Sequence, residues 1–219
     1  MTQPSACLID VYQTILSCDF SRHSRDMPRL AGVAPDAWRA GIWRVGPLFN
    51  VGRLTKAEGF GQILEDCGVE PRAHVVRALV EADRELLLAD ARLYEDSIPF
   101  LENLRSHHVR TAIVSNCSEH TRDLLIKLGV PELVDEVILS YEVGAAKPSA
   151  QIFRHALEQL RVPAGAALFV DDQAAFCAGA VALGISAAQI VRGEPDGKVA
   201  AAGTTIVRSL PEVEAMLWA

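Results

Sequence analysis

The chain has 219 residues, of which 50% are hydrophobic and 22% are charged, and its formal net charge is −7. This composition is typical of a globular protein with a large buried core. The negative charge disfavours a protein that binds nucleic acid or an anionic membrane through a broad basic surface. No apolar run approaches the roughly 18 residues of a transmembrane helix, and the amino terminus has no signal-peptide pattern. We therefore expect a cytoplasmic protein.

The first predicted element is a strand that begins at Ala6 and is followed by the acidic residue Asp10 and by Thr14 four positions later. Its apolar residues run without alternation, which predicts a strand buried on both faces in the middle of a parallel sheet. Ligands of such sheets bind beyond the carboxyl ends of the strands. Asp10 is therefore a candidate site residue, although an Asp that only starts a turn explains this position equally well.

The next block, residues 17–92, has helical patterns and no strand pattern. A capping box, Thr55 followed by Glu58, predicts a helix start, and a long helical segment follows Pro71. A helical insertion between two strands predicts a lid over the site. We expect three of its aromatic residues to pack inside it or at its hinge: Trp38, Trp43 and Phe49. We expect three of its arginines to be solvated, although any of them can reach an anionic substrate: Arg39, Arg44 and Arg53.

Strands and helices alternate in the rest of the chain. The patterns predict strands at residues 109–116, 136–140 and 167–172, weaker strands at 189–191 and 204–207, and helices at 98–105, 121–128, 150–160, 174–183 and from Pro211 onward. Repeated strand–helix units indicate an α/β fold with a doubly wound parallel sheet.

Polar residues follow several of these predicted strands. They are Asp10 with Thr14, Ser115 with Asn116, Lys147, and Asp171 with Asp172. Taken singly, each is explained equally well by a helix cap, a surface lysine or a solvated turn. All of them together, in this order and on this topology, are much less easily explained by chance.

This combination resembles the haloacid dehalogenase-like hydrolase superfamily. The resemblance rests on Asp10-Val-Tyr-Gln-Thr14, Ser115-Asn116, Lys147-Pro148 and Val170-Asp171-Asp172, and it covers essentially the whole chain. It implies a Rossmann-like parallel core formed by residues 1–16 and 93–219. It also implies an all-helical cap domain, residues 17–92, inserted just after the first strand.

The resemblance further implies a mechanism in which Asp10 is the nucleophile. A carboxylate that attacks an electrophilic centre forms a covalent aspartyl intermediate, which water later hydrolyses. In the phosphatase branch of the family the cofactor is Mg²⁺, a hard cation that suits oxygen ligands. Its expected ligands are Asp10, the main-chain oxygen of Tyr12, and Asp171 or Asp172.

The remaining motif residues are expected to bind the phosphoryl group. Ser115, the main-chain N–H of Asn116 and Lys147 are the expected donors to the phosphoryl oxygens. Lys147 also offsets the repulsion between Asp10 and an anionic substrate. Thr14 belongs to the nucleophile motif and completes the predicted catalytic set.

Two positions depart from the pattern of the family's phosphatases. Tyr12 stands where they have a second Asp, a general acid and base worth about 10²–10⁴ in rate. An aromatic residue there resembles the 2-haloacid dehalogenase branch, which attacks carbon and needs no metal, but that branch lacks the acid pair Asp171-Asp172. Two adjacent carboxylates that face Asp10 repel it unless a cation neutralises them. Gln13 replaces the usual glycine, which suggests an altered turn or a substrate contact.

Three functions therefore stay open at this point. The main hypothesis is a Mg²⁺-dependent phosphatase of a small phosphorylated metabolite. The alternatives are a metal-independent 2-haloacid dehalogenase and a non-catalytic binding protein that kept the fold. We expect a small anionic substrate (a phosphate ester or a 2-haloacid), no nucleic-acid or membrane partner, and either a monomer or a homodimer.

Overall fold

The computed structural model describes residues 4–193 and 201–218. In chain order these residues form β1 (Ala6–Ile9), β2 (Leu16–Cys18), α1 (Ser21–Ala31), α2 (Pro35–Phe49), α3 (Lys56–Asp66), α4 (Ala73–Asp90), β3 (Ala91–Leu93), α5 (Ser97–Ser106), β4 (Arg110–Ser115), α6 (Thr121–Lys127), β5 (Glu136–Leu139), α7 (Ser140–Val143), α8 (Ala150–Leu160), β6 (Ala167–Asp171), α9 (Ala174–Val181), β7 (Ser186–Ile190), β8 (Thr204–Val207) and α10 (Leu210–Trp218). No helix in this part of the chain combines the length and apolar character that a membrane crossing requires.

Six of the strands form one parallel sheet in the order β5–β4–β1–β6–β7–β8. The predicted doubly wound parallel sheet is therefore confirmed. β1 lies between β4 and β6, and all of its residues are buried, which explains its unbroken apolar run. Ile9 is level with Val170 in the register of β1 and β6. Asp10 follows Ile9, and Asp171 follows Val170. These two acids therefore lie at the same edge of the sheet.

Helices cover both faces of this sheet. Cys7 and Ile9 of β1 belong to an apolar cluster with α5, α6 and α10 on one face. Ala6 and Leu8 belong to a second cluster with α8 and α9 on the other face. The alternation follows from the two-residue period of a strand, and it holds the carboxyl end of β1 on a rigid base.

Helices α1 to α4 form a separate apolar cluster of their own. The predicted capping box is present at the start of α3, where the Thr55 N–H donates to Glu58 at 2.8 Å and the Glu58 N–H donates to Thr55 Oγ1 at 3.2 Å. Trp38 and Phe49 are buried as predicted. The prediction for Trp43 is wrong, because its side chain is 78% exposed. Trp43 lies five residues after Trp38 on α2, which turns it towards the opposite face of the helix.

Two short strands flank these helices, although the sequence pattern predicted no strand in residues 17–92. β2 and β3 pair antiparallel, with Leu16 opposite Leu93 and Cys18 opposite Ala91. Strands of three residues are too short to show the alternation on which a prediction depends. The chain therefore leaves the parallel sheet and returns to it through one paired ribbon.

Candidate active site

Asp10 occupies the turn after β1, at the carboxyl edge of the sheet. Its main-chain N–H donates to the Val170 carbonyl at 2.9 Å, and its side chain is almost fully buried. One carboxylate oxygen accepts from Thr14 Oγ1 at 3.2 Å, and the other accepts from Lys147 Nζ at 2.6 Å. The carboxylate is therefore held in one orientation by residues that come from two distant parts of the chain.

Lys147 lies between two of the acids. Its ammonium nitrogen is 2.6 Å from Asp10 Oδ1 and 2.6 Å from Asp171 Oδ2, and the lysine side chain is fully buried. It also lies 5.4 Å and 5.2 Å from the ring centres of Phe169 and Phe176. Burial by itself lowers the pKa of Lys147, but the two carboxylates outweigh it, so that the pKa is raised above its ordinary value. The lysine therefore stays charged.

A third acid completes a cluster at the ends of β1 and β6. Asp10, Asp171 and Asp172 each offer a carboxylate oxygen, and these oxygens lie within 4.8 Å of one another. Burial, and next the charge of Asp10, raise the pKa of Asp171 to about 7, even though Lys147 and the Gln173 N–H bind its carboxylate. Three carboxylate oxygens grouped in this way form a donor set that fits Mg²⁺, which prefers oxygen ligands.

The end of β4 contributes the next two predicted residues. Ser115 is fully buried, and its hydroxyl has no hydrogen-bond partner among the residues that the structure describes. The Asn116 side chain donates to the Lys147 carbonyl at 2.8 Å and accepts from the Lys147 N–H at 2.7 Å. Asn116 thus fixes the backbone of Lys147, and the binding of a ligand by the Ser115 hydroxyl stays a prediction. A contact from the Asn116 N–H to substrate stays a prediction.

The two residues that depart from the family pattern lie next to this cluster. The Tyr12 hydroxyl is 3.0 Å from Thr121 Oγ1. Burial raises the pKa of Tyr12 far above its ordinary value, so the tyrosine cannot replace an acid that exchanges protons near neutral pH. Gln13 has a φ of 59°, the left-handed conformation that favours glycine. Its side chain accepts from the Tyr94 hydroxyl at 3.0 Å.

A cavity of about 550 Å³ lies between helices α1 to α4 and the residues that follow β1 and β4. Within the described part of the chain, its lining includes neither Lys147 nor any of the three acids. Tyr12 and Asn116 form part of its lining on the sheet side. Most of its wall is apolar and includes Phe20, Met27, Trp38, Ile42, Phe49 and Phe60. Of the three arginines expected to be solvated, only Arg39 lines this cavity, and its side chain is largely exposed. Arg44 instead forms an ion pair with Asp66.

Comparison with known proteins agrees with the geometry. Residues 5–184 match the model of a family described as haloacid dehalogenase-like hydrolase. The chain belongs to this family.

Named relatives and solved structures of the family are similar to this chain. The glyceraldehyde 3-phosphate phosphatase of Methanopyrus kandleri is 32% identical over 115 residues, and the match spans 52% of this chain and 49% of the relative, about half the length of each. Phosphatase MT3486 of Mycobacterium tuberculosis is 28% identical over 198 residues, 84% of this chain and 85% of the relative. A phosphatase structure from Thermococcus onnurineus has a TM-score of 0.69 at 25% identity and matches 97% of both chains.

Several residues around the site of this haloacid dehalogenase-like hydrolase were not predicted from its sequence. Arg192 donates to the Thr14 carbonyl at 2.7 Å and to Asp96 at 2.8 Å, and it thereby supports the turn that follows Asp10. Lys56 and Asp83 form a buried ion pair that lines the cavity. The sequence holds one signal for this pair: Asp83 interrupts the apolar stripe of α4.

Proposed function

We propose that this chain is a Mg²⁺-dependent phosphatase that hydrolyses a phosphate monoester of a small metabolite. One observation carries the proposal: the carboxylates of Asp10, Asp171 and Asp172 lie together, with a single ammonium group between two of them. Two relatives of similar sequence are named phosphatases, one of them for glyceraldehyde 3-phosphate, which supports a phosphate ester as the substrate.

In the proposed reaction a carboxylate oxygen of Asp10 attacks phosphorus. A bond forms between that oxygen and phosphorus, the bond from phosphorus to the ester oxygen breaks, and the departing alkoxide takes a proton from solvent water and leaves as the alcohol. A second water then attacks phosphorus, the bond from the Asp10 oxygen to phosphorus breaks, and inorganic phosphate leaves while the carboxylate is restored. Each Asp10 oxygen accepts only one of the two hydrogen bonds described above, so lone pairs remain for the attack.

The other residues of the site bind the phosphoryl group in this proposal. Lys147 and the unpaired hydroxyl of Ser115 donate to phosphoryl oxygens, and Asn116 holds Lys147 in place. Asp10, the Tyr12 carbonyl, and Asp171 or Asp172 would hold Mg²⁺. When bound, the ion neutralises charge on the carboxylates and on the phosphoryl oxygens.

We also propose that residues 17–92 act as a cap domain over the core formed by residues 1–16 and 93–219. The position of the cavity supports this division, because its lining comes from helices α1 to α4 on one side and from the sheet edge on the other. The paired strands β2 and β3 support it too, because both crossings between the two parts lie there.

A metal-independent 2-haloacid dehalogenase is the second candidate. Tyr12 favours it, because an aromatic side chain lines the cavity where the phosphatases of the family have an acid. The acid pair weighs against it, since attack at carbon needs no further carboxylates near the nucleophile.

The test is a parallel assay of phosphate release and halide release. Acetyl phosphate, benzyl phosphate and both enantiomers of 2-chloropropionate are incubated with the protein in Mg²⁺ and in EDTA. We expect phosphate release in Mg²⁺ only, and its loss in Asp10→Asn. The matched control is Asp26→Asn, which changes an exposed acid paired with Arg25. Halide release in EDTA would overturn the proposal, and so would the absence of both activities, which would leave a binding protein.

A further inference from the structure

A polar cluster lies in the apolar wall of the cavity, apart from the acid cluster. The Lys56 ammonium is 3.1 Å from Asp83 Oδ2, and each side chain is only 12% exposed. Lys56 also lies 5.1 Å and 5.6 Å from the ring centres of Phe49 and Phe60. The Nε2 atom of His23 is 3.9 Å from Asp83 Oδ1. We call Lys56, Asp83 and His23, all of which line the cavity, the wall cluster.

The stability of the fold does not account for this cluster. Removing a lysine and a carboxylate from water costs several kcal/mol per ion, and well-packed apolar residues in place of such a pair are often neutral or stabilising. The cluster also leaves the buried Nδ1 of His23 without a hydrogen-bond partner in the described part of the chain. Polar atoms in that state cost about 1–3 kcal/mol each. A ligand that binds these groups gives them a function.

The charges of the wall cluster indicate whether the polar group of such a ligand is charged. Lys56 and Asp83 neutralise each other. Behind them, burial lowers the pKa of His120 below its ordinary value despite the neighbouring charge of Asp83, so His120 is uncharged at neutral pH. A charged ligand group would have to displace one member of the ion pair and leave the other uncompensated. A hydroxyl, amide or carbonyl group binds beside the pair without that cost.

The rest of the cavity specifies the body of the ligand. Its wall is mainly aromatic and aliphatic, with Trp38, Phe60 and Ile42 facing a space of about 550 Å³. Cavities of about 300–1,000 Å³ hold drug-sized ligands. A polyol would lose hydration against these walls without compensating hydrogen bonds, whereas a ring gains apolar contact.

We propose, building on the phosphatase function proposed above, that the alcohol part of the substrate is a mainly apolar ring with an uncharged polar substituent. The ring lies among the aromatic side chains of the cavity, and the substituent binds to Lys56, Asp83 and His23. The phosphoryl group lies at Asp10.

The first experiment measures the substrate preference of the wild-type protein in Mg²⁺. Benzyl phosphate, 4-(hydroxymethyl)benzyl phosphate, 4-carboxybenzyl phosphate and glycerol 3-phosphate all release an alkyl alcohol, so differences in leaving-group acidity stay small. Acetyl phosphate measures phosphate release from a compound that has no ring. We expect kcat/KM for the hydroxymethyl compound to exceed that of benzyl phosphate at least fivefold and that of glycerol 3-phosphate at least tenfold. The carboxylate compound is expected to be poorer than benzyl phosphate.

The second experiment compares two variants that each break one ion pair in the helical insertion. Lys56→Met removes the cation of the wall cluster, whereas Arg72→Met removes an exposed cation that pairs with Glu70 away from the cavity. The readout is the ratio of kcat/KM for the hydroxymethyl compound to that for benzyl phosphate. We expect this ratio to fall to near one in Lys56→Met, mainly through KM, and to stay at the wild-type value in Arg72→Met.

The outcomes separate the two proposals. If none of the five phosphate compounds is hydrolysed in Mg²⁺, the phosphatase function itself is wrong. If acetyl phosphate is hydrolysed but glycerol 3-phosphate or the carboxylate compound is preferred over the hydroxymethyl compound, the inference about the cavity is overturned and the phosphatase function stands. The wild-type preference decides this alone if Lys56→Met fails to fold.

Discussion

Replacing Tyr12 by Asp tests why this chain departs from the phosphatases that it resembles. Tyr12 lies two residues after the proposed nucleophile, lines the cavity, and has its hydroxyl 3.0 Å from Thr121 Oγ1. Because its raised pKa keeps that hydroxyl protonated, the wild-type protein has no general acid or base at this position. Tyr12→Asp supplies a carboxyl group beside the bond that breaks.

The expected gain in kcat is large enough to be measured despite the expected loss of stability. A positioned proton donor contributes about 10²–10⁴ in rate, which corresponds to roughly 3–5 kcal/mol of the activation free energy. The substitution also removes a partly buried ring that is 6.3 Å from the Phe20 ring, and its loss costs less than the roughly 1.5–3 kcal/mol of a fully buried apolar side chain. We therefore expect kcat to rise about 10²-fold while the melting temperature falls.

The assay measures kcat for benzyl phosphate in saturating Mg²⁺ at neutral pH, together with the melting temperature. Tyr12→Asn is the matched control, because it removes the ring in the same way but supplies no ionisable group. We expect the gain in Tyr12→Asp only. If Tyr12→Asp is no faster than Tyr12→Asn while both remain folded, the missing acid does not limit this protein and our account of Tyr12 is wrong.

Three further substitutions test the acid cluster and its partners. Lys147→Met leaves buried carboxylates without their cation, so unfolding by urea in EDTA should show a loss of about 3–5 kcal/mol, part of which Mg²⁺ restores. Ser115→Ala should raise the Kd for inorganic phosphate about tenfold by calorimetry, with a small effect on the melting temperature, because that hydroxyl has no partner in the described structure. The pKa of Asp171 is raised to about 7, so its proton binds the folded state more tightly than the unfolded state. In EDTA, the free energy of unfolding of the wild-type protein should therefore fall, relative to that of Asp171→Asn, as the pH rises from about 4 to about 7. A wild-type free energy of unfolding that instead rises relative to that of the variant would contradict the burial of this carboxyl group.

The acid cluster could be predicted from the sequence because the relative positions of the strand ends depend only on the topology of the sheet. Buried parallel strands bring their carboxyl ends to one edge of the sheet, and β4, β1 and β6 are adjacent here. Ser115 and Asp171 end β4 and β6, and Asp10 directly follows β1, so their proximity needs no knowledge of side-chain packing. Lys147 lies in a longer loop, and its position depends on the two hydrogen bonds between its backbone and the Asn116 side chain.

The lining of the cavity could not be predicted in the same way. Helical periodicity indicates which face of a helix is apolar, but it does not indicate which helix that face meets. Lys56 and Asp83 come together because α3 and α4 pack with one relative rotation, which depends on the whole apolar cluster of the insertion. Gln13 shows a related limit, since the turn takes the left-handed conformation although its residue is not glycine.

The charge of the acid cluster provides the strongest argument for attack at phosphorus rather than at carbon. A single nucleophilic carboxylate is neutralised by one lysine, and Lys147 already lies 2.6 Å from Asp10. Lys147 is shared with Asp171 at 2.6 Å, and Asp172 brings a third carboxylate oxygen within 4.8 Å of the other two. Two like charges about 4 Å apart repel by about 4 kcal/mol at the effective dielectric constant near a protein surface, and an anionic substrate increases the repulsion. A reaction that uses no cation has no reason to keep these acids at the nucleophile, whereas a bound Mg²⁺ converts their repulsion into binding energy for the ion.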